Sequence, residues 1–430
     1  MKTLLAISVL SFILISSTFC QSWNALGEGL NNEVLVLENH DGDIYAGGLF
    51  TDAGGDPDAD YLARWDGQKW HAVAPGLNYL VWAIAFKGDD IYVGGAFTDA
   101  GGNPDADFIT YWDGSQWNAL GGGINNGFNS IIYTITINGQ DVYVGGIFGG
   151  NSASGTLNNI ARWDGSQWHS IGQGLYTEVY AIALDEEFIY AGGGNVFEGG
   201  LVNNEYIVRW DGSEWSSLGP GLDGVVTDIE IHDGRVYAGG LFPGYVANWK
   251  GGGWNYYEGG PPLDWGEVVE IDVVGNNIYT AAFDDGLYHW DGTQWRWIIP
   301  INPPIPDKAW TITHDGNALY AGGQFFLDVP GTNNIAILGN VVVSNADSQL
   351  EVSPSTIEVD PNPTTGIIHY TCRNAQATFD IVTMTDLNGN MVLHIQTDDK
   401  QVDITGLPQG IYFMQVKNEN TWGMAKVIKL

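Results

Sequence analysis

Between Ser22 and Asn340 short apolar runs recur, each about one strand long and each closed by glycine, aspartate or asparagine. "VWAIAFKG" (Val81 to Gly88) is apolar, and "DIYVGGAF" follows across a two-residue turn. A longer loop then leads to "FITYW", and the Asp113-Gly114 turn leads into "QWNALG". Asp-Gly is a favoured hairpin connection because glycine takes positive φ at little cost. Helical spacing of apolar residues is absent throughout, so the unit reads as four strands.

The unit repeats. "YxGG" stands at Tyr45, Tyr92, Tyr143, Tyr190, Tyr237 and Tyr320, with a degenerate "YTAA" at Tyr279. The intervals are 47, 51, 47, 47, 42 and 41 residues. "WDG" recurs at Trp65, Trp112, Trp163, Trp210 and Trp290, with "WKG" at Trp249, and a second tryptophan follows each one. Four-stranded units of this period predict propeller blades. The ends fix the number. "SWNALGEGL" is a fourth strand with nothing before it, and the last unit ends at "NNIAILGN", a third strand with no fourth. The expected fold is all-β: a seven-bladed β-propeller over 21–340, closed by its N-terminal strand so that no sheet edge is free.

A linker is expected over 341–353, and a second domain over 354–430. There "VDPNPTTGIIHY", "FDIVTMTDLNGNMV", "VDITGLPQGIYFMQV" and "MAKVIKL" read as strands divided by Pro-Asn-Pro, Asn-Gly and Pro-x-Gly turns, enough for a small Ig-like β-sandwich.

Composition narrows the setting. Met1-Lys2, an apolar run from Leu4 to Ile15 and "SSTFC" form an export signal over 1–20, with cleavage expected after Cys20. Lipidation at Cys20 is the rival reading, and bulky Phe19 argues against it. No later segment is long and apolar enough to span a bilayer, so no transmembrane segment is expected. With the signal removed, Cys372 is left alone and no internal disulfide is possible. The net charge of -36 makes nucleic acid and anionic membranes poor partners. A cationic or calcium-bearing partner fits better.

Two resemblances follow from these residues. The "IYVGG" strand pairs with a downstream tryptophan resemble kelch and galactose-oxidase-type propellers over Ser22 to Asn340. The "WDG" and "LGxGL" signatures depart from the usual kelch line and look more like repeats of bacterial surface proteins and of a fungal cortical marker. The C-terminal region resembles the C-terminal sorting domain of the type IX secretion system of Bacteroidetes. The residues that carry this match are Pro361-Asn362-Pro363 with Gly366, Asp386-Leu387 with Gly389, Leu407-Pro408 with Gly410-Ile411-Tyr412, and the segment Lys426 to Lys429. It implies recognition by the outer-membrane translocon, and a secreted, extracellular or outer-surface protein.

Candidate chemistry is sparse. Asp52, Asp56, Asp58 and Asp60 match Asp99, Asn103, Asp105 and Asp107 in the next unit. Alternating acids on a loop can converge on calcium, which takes six to eight oxygens, but no bidentate glutamate follows at the expected distance. A solvated turn is the alternative reading. The "WDG" aspartates read as turn caps, the tryptophans as packing between sheets, and His40, His232 and His314 as turn residues before Asp-Gly. A galactose-oxidase-like radical site would need a cysteine, and the propeller has none. A glycosidase would need two carboxylates across one mouth, and no pair stands out.

The kelch resemblance implies that the second-to-third-strand loops and the fourth-to-first-strand loops open on one face. That face would carry Tyr79, Phe128 and Tyr176 as ligand contacts. The expected function is a secreted or surface binding or adhesion protein for a polysaccharide or a surface protein. A secreted carbohydrate-active enzyme, a glycosidase or lyase, is the alternative.

Overall fold

The computed structural model describes residues 23–430 except 123, 125–129, 153–154, 195–205, 258–259, 262, 264–265, 284–285, 299–307, 325–332, 339–356, 361–363, 365, 373–379, 386–390, 398–399 and 418–421. The expected signal over 1–20, the whole expected linker over 341–353, Phe128, Pro361-Asn362-Pro363 and Asp386-Leu387 with Gly389 lie outside the described residues. The chain forms two compact units, Ser22–Leu350 and one that contains Glu351–Leu430.

The first unit is seven four-stranded antiparallel sheets. The first strand of each blade packs against the first strands of its neighbours, which places these seven strands around the axis. In chain order they are Val34–His40, Val81–Lys87, Ile131–Asn138, Val179–Leu184, Val225–His232, Val268–Val274 and Lys308–His314. The seventh blade takes its outer strand from the other end of the chain. Trp23 pairs with Leu338 and Asn24 with Ile337, so the N-terminal strand closes a seven-bladed propeller. Trp23 is buried beside Leu338 and Ala336, and its indole N–H donates to the Ile298 carbonyl at 3.1 Å.

The repeated residues have structural work to do. In each "W…W" pair the rings pack at 5.4–5.7 Å. The second indole N–H of the first two pairs reaches the turn that leads from the preceding blade into its own: Trp70 donates to Leu26 O at 3.1 Å and Trp117 to Pro75 O at 2.9 Å. The "WDG" aspartates cap their own turns. Asp66 Oδ1 accepts the amides of Gln68 and Lys69 at 2.8 Å, and Asp113 repeats this with Ser115 and Gln116.

The "GG" of the repeat answers to a bulge. In every blade the register of the first two strands slips by one residue near the entry of the inner strand. The bulge carries a backbone carbonyl toward the second glycine. A Cβ on Gly48 would lie 2.1 Å from Glu33 O, and one on Gly95 would lie 2.1 Å from Leu80 O. A Cβ on Gly47 would meet Val81 of the next blade at 2.7 Å, so the first glycine lets the blades close up. The Ala281-Ala282 pair of the sixth blade faces the same bulge.

The second unit has two sheets, one of three strands and one of four, that share a core of Ile368, Tyr370, Val382, Met384, Val402, Ile404, Tyr412, Met414 and Val427. Lys429 on the last strand is buried. Its ammonium donates to the carbonyls of Ile404, Thr405 and Leu407 at 2.7, 2.7 and 2.5 Å, tying that strand to the Leu407-Pro408 turn.

Candidate functional site

The slipped register leaves one bulged residue per blade: Leu35, Trp82, Tyr133, Tyr180, Thr227, Val269 and Trp310. Bulges re-aim a side chain that regular pleating would send elsewhere. Here the four aromatic ones meet around the axis. Trp82 packs edge-on against Tyr133 at 5.7 Å, and Tyr133 meets Tyr180 in a tilted contact at 5.2 Å. Trp310 packs edge-on against Trp82 at 5.9 Å across the intervening first blade, where buried Leu35 takes the bulge position. Phe283 extends the arc from Trp310 at 5.0 Å. All four rings remain partly exposed. The indole N–H of Trp310 is buried with no acceptor among the described residues.

Two acidic residues stand beside the arc: Glu178, two residues before Tyr180, and Glu267, whose carbonyl accepts the Phe283 amide at 2.9 Å. Burial raises the pKa of Tyr133 and takes that of Tyr180 up to about 12, with the charge of Glu178 adding to both and Glu267 adding to Tyr180. Burial also raises the Glu267 carboxyl itself. Lys308 places its ammonium 4.4 Å from the Phe283 ring centre, a cation over a π face.

Farther along the inner strands lies a cavity of about 310 Å³, lined by Glu38, Asp228, Glu230, Glu270, Asp272 and His314 with apolar neighbours. The side chains follow the period of two beyond the bulge. Three of the six cap backbone. The axial edge of an inner strand faces no other strand, so its amides need acceptors from elsewhere. Asp228 accepts from Ile271 N at 2.8 Å and Glu230 from Val273 N at 2.7 Å. Glu270 accepts from Ile312 N at 2.8 Å, and Thr311 from Leu37 N at 2.9 Å. Each bond ties one blade to the next.

Gathering carboxylates in the interior has an electrostatic cost. Burial, with repulsion from Asp272 and Asp228, lifts Glu38 to about 8. Burial lifts Glu230 to about 9 and Asp228 to about 6, and Glu270 is held well above the ordinary range by burial and by Asp228. These groups keep protons at a pH where free carboxyls have lost them. His314 bonds Asp272 at 2.7 Å, and that bond raises its pKa. His314 is therefore a channel residue as well as the residue before a turn.

The residues expected from the sequence sit on the face that bears the arc. The fourth-to-first-strand loop is tied to the second-to-third-strand loop in two blades: Asn31 Oδ1 accepts Thr51 N at 2.9 Å, and Asn78 Oδ1 accepts Thr98 N at 3.0 Å. Tyr79 and Tyr176 stand on this rim, 50% and 65% exposed, just before the inner strands of the second and fourth blades. The acid pairs lie beside them and bond backbone. Asp60 accepts Asp52 N at 2.9 Å and Asp56 accepts Asp58 N at 3.0 Å. Asp107 accepts Asp99 N at 2.8 Å, while Asp105 donates its amide to Asn103 at 3.1 Å. Among the described residues no three acidic, histidine or cysteine side chains are grouped to hold a metal ion.

Both the arc and the acid well escaped the sequence reading, although a signal exists. Every bulged residue stands ten positions before the tyrosine of "YxGG" or "YTAA", and Glu38, Glu230 and Asp272 stand seven before it. Stacking the seven units on that tyrosine would have exposed both columns.

Comparison with known proteins identifies the tail and the fold. Residues 358–430 match the family described as secretion system C-terminal sorting domain. The protein is thus a type IX secretion cargo, delivered outside the cell as a secreted or surface-attached protein, and it interacts with that secretion machinery. No helix among the described residues is long and apolar enough to cross a membrane. No curated protein matches the chain. Among solved structures it is similar to the extracellular domain of BT3049 from B. thetaiotaomicron, at 12% identity and TM-score 0.52 over 95% of this chain and 57% of that one. It is also similar to the extracellular domain of BT4673 from the same organism, at 12% identity and TM-score 0.51 over 96% and 59%. PorZ, a surface component of the type IX system of Porphyromonas gingivalis, aligns at 15% identity and TM-score 0.48 over 93% and 59%. The chain spans less than two thirds of the length of each, and at 12% identity the likeness to the two extracellular domains concerns the fold alone.

Proposed function

We propose that the protein is an outer-surface binding protein whose propeller is a rigid platform for a glycan or protein ligand. The observation that carries this reading is the arc Phe283–Trp310–Trp82–Tyr133–Tyr180, five aromatic side chains in continuous contact at the axial opening. Partly exposed aromatics held by strand bulges supply apolar contact area at little entropic cost, because the scaffold has already fixed them. Tyr79 and Tyr176 on the surrounding loops extend the surface.

A carbohydrate-active enzyme is the second reading, and the proton-holding carboxylates of the channel favour it, since raised carboxyl pKa values suit a general acid. Against it, Asp228, Glu230 and Glu270 each spend an oxygen on a backbone amide of the next blade. One experiment separates the two. The purified chain is passed over a panel of immobilised polysaccharides and host surface proteins, recording retention and released product. Retention without product, lost in Trp82→Ala, supports the platform. Product release that survives Trp82→Ala but fails in Glu38→Gln supports the enzyme.

A further inference from the structure

The chemistry of the mouth narrows the ligand further. The arc is apolar and π-rich, and the charged groups beside it are the carboxylates Glu178 and Glu267 and, over Phe283, the Lys308 ammonium. Glu178 stands two residues before Tyr180 at the entry of its inner strand, and the Phe283 amide donates to the Glu267 carbonyl at 2.9 Å, which holds Glu267 beside the other end of the arc. A neutral sugar could stack on the rings but would desolvate two carboxylates without supplying a compensating charge. An anion would meet the negative edge of a chain of net charge -36. A cation meets ring faces and carboxylates together, and both attract it. The arc already shows this preference at its end, where the Lys308 ammonium sits over Phe283.

We infer that the axial mouth binds a primary ammonium group on an alkyl chain, either a linear polyamine or the lysine side chain of a peptide. The inference rests on the reading of this face as a binding platform. The alkyl stem would lie along the edge-to-face pair of Trp82 and Trp310, with the ammonium directed toward Glu178 and Glu267. Lysine stems lie naturally along apolar surface while the charged end seeks polar partners. The acid well beyond adds a negative field without needing to touch the ligand.

Calorimetry on the full chain tests this at 150 mM salt with four probes: spermidine, a tri-lysine peptide, the same peptide with its side-chain amines acetylated, and cellotetraose. One saturable site is expected for spermidine, the tri-lysine peptide or both, which also tells the free amine from the peptide as the source. Trp82→Ala and the double variant Glu178→Gln/Glu267→Gln should each weaken that site at least tenfold. Trp82→Phe, which keeps a π face, should retain most of the affinity and guards against a folding artefact. No saturable heat with either amine would overturn the inference. So would equal binding of the acetylated peptide, or many weak sites indifferent to Trp82→Ala. Cellotetraose binding that Trp82→Ala abolishes, with no amine binding, would overturn the ammonium assignment while leaving the platform reading intact.

Discussion

Trp82 and Trp310 touch edge to face at 5.9 Å although a whole blade separates them in the ring. Only side chains at the axis can meet across a blade, so this contact joins the two halves of the aromatic arc. It also depends on both bulges holding their register. Gly95 faces the second-blade bulge, and a Cβ there would sit 2.1 Å from Leu80 O. Gly95→Ala should therefore lower the melting temperature markedly and reduce the near-ultraviolet circular dichroism of the coupled indoles. Gly67, at φ +89° with open space around it, is the control. Gly67→Ala should cost only about 1 kcal/mol, the strain of its φ.

The N-terminal strand gives a second prediction. Among the described residues Trp23 and Asn24 pair with the last blade, Trp23 is packed in its core and Leu26 behind it is fully buried. Trp23→Ala should cost about 3–5 kcal/mol, as large aromatic truncations in cores do. Deleting Gln21 to Gly27 should expose the Ile335–Leu338 edge and cause aggregation. Unchanged melting of the deletion would show that the ring closes some other way.

The channel acids predict an unusual pH dependence. Their folded-state pKa values lie above the unfolded ones, so the folded protein holds protons that the unfolded chain releases. The stability they contribute is fully present below about pH 4 and is lost as pH rises through about 6 for Asp228, about 8 for Glu38 and about 9 for Glu230. The melting temperature should therefore fall from pH 5 to pH 9. Glu38→Gln/Glu230→Gln should flatten that slope and melt higher than the parent at pH 8.5. A parent curve that is flat over this range would mean the carboxylates are not held protonated.

Much of this architecture was legible in the sequence because its causes are local and repeated. Asp-Gly turns, the tryptophan pairs and a three-stranded last unit facing an orphan first strand each constrain the chain independently, and together they leave seven closed blades. The loop face was legible too, and Tyr79 and Tyr176 do stand exposed on it. The arc was not, because a tryptophan inside "VWAIAFKG" looks like any apolar strand residue until the bulge turns it to the axis. The acids Glu38, Asp228, Glu230, Glu270 and Asp272 come from three blades, and nothing in the spacing along the chain says that they share one cavity.

The sorting unit supplies another prediction. The buried ammonium of Lys429 satisfies three carbonyls at once. Lys429→Met would strand them and should destabilise this unit by about 3–5 kcal/mol. The propeller transition should stay in place in calorimetry, since the two units are separately compact. In the native host, removing everything after Ser353 should leave a folded propeller in the periplasm. Normal surface delivery of either variant would contradict the role of the tail as an address.

The most direct measurement compares the full chain with Trp82→Ala and Trp310→Ala for retention on the panel of surface glycans, peptides and amines. Both variants should keep the parent's far-ultraviolet spectrum and lose at least tenfold in affinity for whatever the parent retains. Undiminished retention in both variants would contradict the assignment of the axial arc as the binding surface.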